Sequence, residues 1–443
     1  MKDMTVFSAA EAAGGRLVNC PLDLPLAGGV IDSREAAPGL MFCALPGERA
    51  DGHDYMCSAF EKGAACCLAL RVPEGVDGPV ILVDDVAAAM ARIARACRER
   101  LDIPVVGITG SSGKTTAKEM CAAVLSRKFN TLKTEKNFNN ELGVPLTLFR
   151  VGPEHGAAVV ELGINHFGEM RRLGAMARPD IAVYTLIGRS HLEALGDLDG
   201  VLRAKGELID EMPPDGLVIV NGDDERLAAW QPGRRKLTYG FGESCDVRGS
   251  NFRARGTEGS ELTVAARGQR IELSLPAYGR HMAYSALAAA AVGLELGLSG
   301  GEIAAGAADY VPVGRRARIV GTPSLTVIDD CYNANPDSVK MAIASAAALG
   351  GRLVCVLGDM LELGDESEQL HREVGHAARD AGAVLLTTGE RSRAMGGEHF
   401  GSKAELIAAL PGILRRGDRV LVKASHSMAF EEISDALLKL ELK

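Results

Sequence analysis

The segment Ile103-Pro-Val-Val-Gly-Ile-Thr-Gly-Ser-Ser-Gly-Lys-Thr-Thr116 constrains the fold of this chain more than any other. The β-branched run Val105–Thr109 reads as a buried parallel strand, Gly110-Ser-Ser-Gly113 as the tight loop leaving it, and Lys114 onward as a helix of good formers. Strand, glycine loop and helix in that order make a phosphate cradle. Loop N–H groups and the helix N-terminus face an anion, the lysine neutralises the outer phosphates, and a hydroxyl holds Mg²⁺. The strict G-x-x-x-x-G-K-[ST] spacing is not met, because position 108 is Ile and Gly107 sits one residue early. The later glycines and the Lys114-Thr115 pair, which phosphate geometry needs most, are kept. Nucleotide binding is the expectation.

Around this motif the 443 residues alternate strand and helix patterns, and their length allows two to four domains. We expect an α/β protein of three domains. Residues 1–102 form a small N-terminal α/β domain ending in the amphipathic helix Val86–Arg100. Residues 103–312 form a central doubly wound ATPase domain with strands Val105–Thr109, Ala157–Leu162, Ile181–Leu186 and Leu217–Val220. Within it, residues 234–276 break the rhythm and read as a small antiparallel insertion, and Ala283–Leu296 as a closing helix. Residues 313–443 restart as a Rossmann-like domain with strands Thr326–Ile328, Leu353–Leu357, Val384–Thr387 and Arg419–Val422.

A net charge of −9 argues against nucleic acid or an anionic membrane as main partner. An anionic substrate must then be held by local Arg, Lys and backbone N–H groups. No apolar run reaches a membrane span, and Met1–Ala13 lacks a basic region followed by an apolar stretch. The ten cysteines show no C-x-x-C and no spacing to histidine that suits a metal, so reduced thiols and a cytoplasmic protein are expected, with a monomer as the default.

Several polar residues fall at the C-terminal ends of predicted strands, where open α/β sheets bind ligands. Glu161 ends one such strand and suits a Mg²⁺ ligand, or alternatively pairs with an arginine such as Arg171. His191, after Ile181–Leu186, could ligate a metal or contact phosphate, or be a satisfied structural residue. Lys205, in Arg203-Ala-Lys-Gly-Glu207, reads from the residues alone as a surface helix lysine. Asn137-Phe-Asn-Asn-Glu-Leu-Gly-Val-Pro145 and Asp329-Asp-Cys-Tyr-Asn-Ala-Asn-Pro336 are polar clusters after apolar strands, suited to a site or to turns.

Together these residues resemble the Mur ligases of peptidoglycan assembly, over essentially the full length. The resemblance rests on Asp32-Ser-Arg34 and Gly47-Glu-Arg-Ala-Asp-Gly-His53 in the first domain. In the second it rests on Thr109–Thr116, Asn137–Pro145, Glu161-Leu-Gly163, His191-Leu-Glu193 and Arg203–Glu207. In the third it rests on Asp329–Pro336, Leu357-Gly-Asp-Met-Leu-Glu-Leu-Gly364 and Val422-Lys-Ala-Ser425. The segments Tyr332–Pro336 and Leu357–Gly364 are those of the branch that adds a dipeptide.

The resemblance implies an ATP- and Mg²⁺-dependent ligase joining D-alanyl-D-alanine to UDP-N-acetylmuramoyl-tripeptide through an acyl phosphate. Gly110, Ser111, Ser112, Gly113, Lys114, Thr115 and Thr116 would cradle ATP, with Arg315 and Asp330 reaching it as the domains close about a hinge at 311–315. Thr115, Glu161, His191 and a carbamylated Lys205 would hold metal, and Lys114, Glu161, His191 and Lys205 form the catalytic group. Ser33, Arg34 and Asn139 would meet the UDP-linked substrate, and Asn333 and Asn335 the dipeptide. The chain departs from the family pattern at Met282 and Ser285, where asparagines usually help hold the adenine nucleotide. Leu186, Arg189-Ser190 and the Val422–His426 stretch depart as well. The alternatives are another Mur-type amino-acid ligase, or a nucleotide-binding relative that has lost turnover.

Overall fold

Three separate sheets carry the chain in the computed structural model, which describes residues 1–20, 22–47 and 50–442. Glu48 and Arg49 of the Gly47–His53 motif lie outside the described residues. The first sheet has the spatial order Arg16–Val18, Val80–Leu82, Cys66–Ala69, Leu40–Cys43, Gly28–Val30 and is parallel except at its first pair. The third runs Arg318–Gly321, Thr326–Asp329, Arg419–Lys423, Leu353–Leu357, Val384–Thr388, Glu398–Phe400, again with one antiparallel edge pair. Fully buried β-branched runs such as Leu353–Leu357 need helices on both faces, and helices alternate with these strands along the chain.

The central sheet has nine strands. Val105–Thr109 lies in its interior between Ile181–Tyr184 and Ala157–Glu161, parallel to both. Here the chain leaves to one side and then the other, which opens a crevice at the C-terminal ends of these strands. The phosphate loop, Glu161 and the loop after Tyr184 all emerge at that edge.

The segment 234–276 is not a separate antiparallel insertion. Arg235–Gly240 adds parallel to Leu217–Asn221, and Val247–Ala254 adds parallel to it over a short register. Only Ser260–Ala266 and Gln269–Leu275 add antiparallel, so the segment extends the main sheet. The alternating burial of Gln269–Leu275 gives the physical reason: a half-buried strand needs one covered face and fits a sheet edge. Arg280–Glu295 packs on Lys114–Leu125, and its buried alanines, Ala286 and Ala288–Ala291, allow a close approach. No helix among the described residues is long and apolar enough to cross a membrane. All ten cysteines are free, and most are buried.

Candidate active site

The phosphate loop is held rigid by the loop beside it. Thr185 Oγ1 donates to the Ser112 carbonyl at 2.5 Å, and Ser111 N donates to the Leu186 carbonyl at 2.8 Å. Ser111 Oγ donates to the Gly188 carbonyl at 2.9 Å and accepts from Gly188 N at 3.0 Å. Gly110 has φ +146°, and a Cβ there would stand 2.0 Å from Thr185 Oγ1, so only glycine fits. Gly113, at φ +81°, precedes the helix Lys114–Leu125 without a side-chain cap, which leaves the first-turn N–H groups facing the cleft for an anion. Lys114 Nζ folds back on the Gly110 carbonyl at 2.8 Å. Burial pushes its pKa down, Arg316 adds to that, and Glu161 opposes it.

Glu161 is buried at the end of its strand and does not pair with Arg171, which reaches Asp210 instead. Its Oε1 accepts from Thr115 Oγ1 at 3.1 Å and from Asn139 Nδ2 at 2.8 Å. Its Oε2 is buried with no partner. A buried carboxylate oxygen left open beside a hydroxyl and a phosphate loop is the donor set that fits a hard divalent cation. Among the described residues no cluster of three or more His, Cys, Asp or Glu could hold a metal alone.

Two more middle-domain groups flank Lys114. His191 lines the cleft, with Nδ1 at 2.6 Å from Glu362 Oε2 of the third domain. Burial lowers its pKa, Glu362 raises it, and Lys114 and Lys205 lower it further. Lys205 contradicts its reading as a surface lysine, with 1% of its surface exposed. Burial and the charge of Lys114 push its pKa well down. Its helix is also fastened by Glu207, two residues on, which accepts from Gly168 N at 2.9 Å.

The third domain closes the other side of a cleft of about 580 Å³. Asp330 and Lys423 pair at 2.7 Å, and Lys423 Nζ also donates to the Asn333 carbonyl at 2.8 Å. Lys423 therefore shapes the Asp330–Asn333 loop. Asn333 lines the cleft, although its Oδ1 accepts from Ala334 N at 2.9 Å. A second hollow shares His281 and Met341 with the cleft. Arg280 covers the Phe241 ring there, and Tyr284 donates to Asp223 Oδ2 at 2.8 Å. Met282 lines the main cleft itself, while Ser285 is buried within the helix.

Arg315, Ser33 and Arg34 do not line the cleft, whereas Asn139 and Asn335 line it with part of each amide already engaged. Arg315 turns from the cleft to Asp329 at 2.9 Å and Asp435 at 2.7 Å, drawn by a fully buried carboxylate. Its neighbour Arg316 faces the cleft instead, 3.4 Å over the Tyr332 ring. Asn139 lines the cleft, with its Nδ2 on Glu161 Oε1 at 2.8 Å. Asn335 lines the cleft and also caps the helix Pro336–Ala348, where Oδ1 accepts from Ser338 N at 2.8 Å. Ser33 and Arg34 do not line the cleft, and the exposed Arg34 is held by Asp32 at 2.6 Å. Sequence reasoning missed Arg316 and His281 as cleft-lining groups, and gave Glu362 of the Leu357–Gly364 segment no role of its own. Lys423 had a signal, since a lysine ending a buried parallel strand sits at the ligand edge.

The geometry agrees with what the chain is similar to. The profile described as Mur ligase middle domain matches residues 108–293, Mur ligase, glutamate ligase domain matches 315–426, and Mur ligase family, catalytic domain matches 27–98. The UDP-N-acetylmuramoyl-tripeptide–D-alanyl-D-alanine ligase of Escherichia coli K12 is 38% identical over 99% of both chains. A crystal structure of MurF from Acinetobacter baumannii superposes with a TM-score of 0.90 at 30% identity, covering 98% of this chain and 99% of that one. MurF ligase from Thermotoga maritima in complex with ADP gives 0.84 at 26% identity, covering 93% and 97%.

Proposed function

Because this chain belongs to the Mur ligase family, we infer that its cleft carries out the reaction for which its full-length relatives are named. It is an ATP-dependent ligase that joins D-alanyl-D-alanine to UDP-N-acetylmuramoyl-tripeptide, making a peptidoglycan precursor. We read residues 1–102 as the UDP-substrate domain, 103–312 as the ATP domain and 313–443 as the domain that brings the dipeptide. We read the work as cytoplasmic, where nucleotide substrates are made.

The reaction sets two anions against each other. The terminal carboxylate of the tripeptide attacks the γ-phosphorus of ATP, the bond to the β–γ bridging oxygen breaks, and ADP leaves with an acyl phosphate formed. The dipeptide amine then adds to the acyl carbon, loses a proton, and expels inorganic phosphate as the amide forms. Both steps concentrate negative charge that fixed cations and N–H groups must spread. The loop from Gly110 to Thr116 receives the phosphates, with Lys114 leaving the Gly110 carbonyl for the γ-phosphate. Thr115 and Glu161 would hold Mg²⁺, with Asn139 fixing the carboxylate through Oε1. Bound there, Mg²⁺ would neutralise the phosphates and polarise the γ-phosphorus.

Lys205 has a different task. A buried cation beside Lys114 and His191 is unfavourable, and the neutral amine that burial favours is the form that reacts with CO₂. The carbamate that results is an anion, and it would pair with Lys114 and, together with His191, support a second ion. Asp330, Lys423 and Arg316 close over the nucleotide from the third domain, and the Asn333 loop meets the dipeptide. Exclusion of water by this closure protects the acyl phosphate.

The observation that carries this reading is one cleft with Lys114, Thr115, Glu161 and His191 on one wall and Asp330, Asn333 and Lys423 on the other. It is tested by incubating the protein with ATP, Mg²⁺, UDP-N-acetylmuramoyl-tripeptide and D-alanyl-D-alanine, then following phosphate release and product mass. Phosphate release that needs both peptides, with the pentapeptide formed, is expected. Nucleotide binding without turnover would point to the relative that has lost activity.

A further inference from the structure

His191 belongs to the middle domain, yet the group that fixes its ring comes from the third. Nδ1 stands 2.6 Å from Glu362 Oε2. A carboxylate can only accept, so the shared proton sits on Nδ1 and the Nε2 lone pair is left for the cleft. Histidines that serve as ligands are commonly set in this way by a carboxylate on the other nitrogen.

Both partners are presented by constrained backbone. His191 has φ +54° and Glu362 φ +63°, the left-handed region that residues with a Cβ seldom adopt. The two residues before Glu362 are each tied down. Met360 N donates to the buried His371 Nε2 at 3.0 Å, and Leu361 N donates to Ser425 Oγ at 3.0 Å. His371 Nδ1 is in turn 2.6 Å from the Ser367 carbonyl, so both its nitrogens are used within the third domain.

The His191 loop also meets the third domain a second time. Arg189 N donates to Asp337 Oδ2 at 2.9 Å, at the start of the helix Pro336–Ala348. The dipeptide-side helix and the Glu362 loop thus grip one short middle-domain segment.

We propose that Glu362 is a positioning residue that sets the orientation of His191 only when the third domain is docked, so that domain closure and completion of the phosphate-transfer site are one event. The proposal rests on the reading of His191 as a cleft-facing ligand. It makes Glu362, on a loop of the dipeptide-adding branch, the link by which the third domain reports its position to the ATP site.

The test compares wild type with Glu362→Ala and Glu362→Gln. The Glu362 side chain is exposed, so truncation leaves the core intact, and thermal melting checks this. With Glu362→Ala, kcat falls about 30-fold while KM for the UDP-linked substrate stays within about twofold, a size typical of losing a carboxylate behind a liganding histidine. Glu362→Gln, whose amide oxygen still accepts from Nδ1–H, recovers most of that loss.

A second readout needs no turnover. In ¹⁵N-histidine spectra of the full chain with ADP, His191 of wild type shows Nδ1 protonated, and Glu362→Ala moves the proton to Nε2. An Ala variant with kcat within twofold of wild type and an unchanged His191 tautomer overturns the proposal. So does a Gln variant no better than Ala. If wild type itself makes no pentapeptide, the assigned reaction fails, while the tautomer shift still judges the Glu362 contact.

Discussion

The two walls of the cleft are built on opposite plans. The middle-domain wall is backbone geometry with a few short side chains: Gly110 and Gly113 shape the loop, and Thr115 in the first helical turn meets Glu161 at a strand end. The third-domain wall is made of long side chains that converge from separate loops. Lys423 ends a strand, Asp330 follows another, Arg316 comes just before the domain's first strand and Glu362 from a loop held by His371. A wall of the first kind is stiff without ligand. A wall of the second kind is held by ion pairs that a ligand can redistribute, which suits the side that must open and close.

Replacing a lysine on each wall should separate the two plans most sharply. Lys114→Ala is expected to lower kcat about 10³-fold, the scale of losing one preorganised charge on a developing anion. Melting should not drop, because Lys114 is a partly buried cation bonded to its own loop. Lys423→Met is expected to destabilise by about 3 kcal/mol, since it leaves Asp330 without its cation. Calorimetry alongside turnover checks both. Equal loss of stability in the two variants would erase the distinction.

Glu161→Gln sharpens the middle-domain half. Its Oε2 has no protein partner, so folding needs little from that charge, whereas a divalent ion needs all of it. Turnover is expected to fall about 10²-fold. The Mg²⁺ concentration for half-maximal rate should rise, with the melting temperature held or raised.

The adjoining arginines test the other half. Arg315→Ala strips a partner from the fully buried Asp329 and should cost about 1–3 kcal/mol of stability, with KM for ATP little changed. Arg316→Ala should leave stability within about 0.5 kcal/mol and raise KM for ATP about tenfold. Melting curves and ATP saturation kinetics decide between them, and a reversed pattern would put Arg315 back at the nucleotide. The smallest effect is expected of Asn335→Ala, about 1 kcal/mol for a lost helix cap, read by melting.

The same contrast explains what the sequence disclosed. The phosphate loop, its strand and Glu161 were legible because their chemistry is contiguous and obeys local rules of strand, glycine and helix. Val105–Thr109 is a strand with the bounds expected of it. Lys205 was misread as a surface residue because helical spacing does not tell which face a neighbouring loop will cover, and only the resemblance put it in the site. Arg315 and Arg316 were indistinguishable, since the choice depends on the buried Asp329, fourteen residues away. Asn335 lines the cleft and is also a helix cap, a second use its Pro336 neighbour announces. The strands after residue 234 joined the central sheet because pairing across a sheet edge is a tertiary choice that alternation alone does not reveal.

The central claim is that this cleft activates the tripeptide carboxylate by direct attack on the γ-phosphate. It is tested most directly with UDP-N-acetylmuramoyl-tripeptide carrying ¹⁸O in its terminal carboxylate, ATP, Mg²⁺ and D-alanyl-D-alanine, by mass analysis of the phosphate released. The account predicts one ¹⁸O atom per phosphate, transferred when the acyl phosphate collapses to the amide. Pentapeptide formed with unlabelled phosphate would contradict it, because the carboxylate oxygen would never have been bonded to phosphorus.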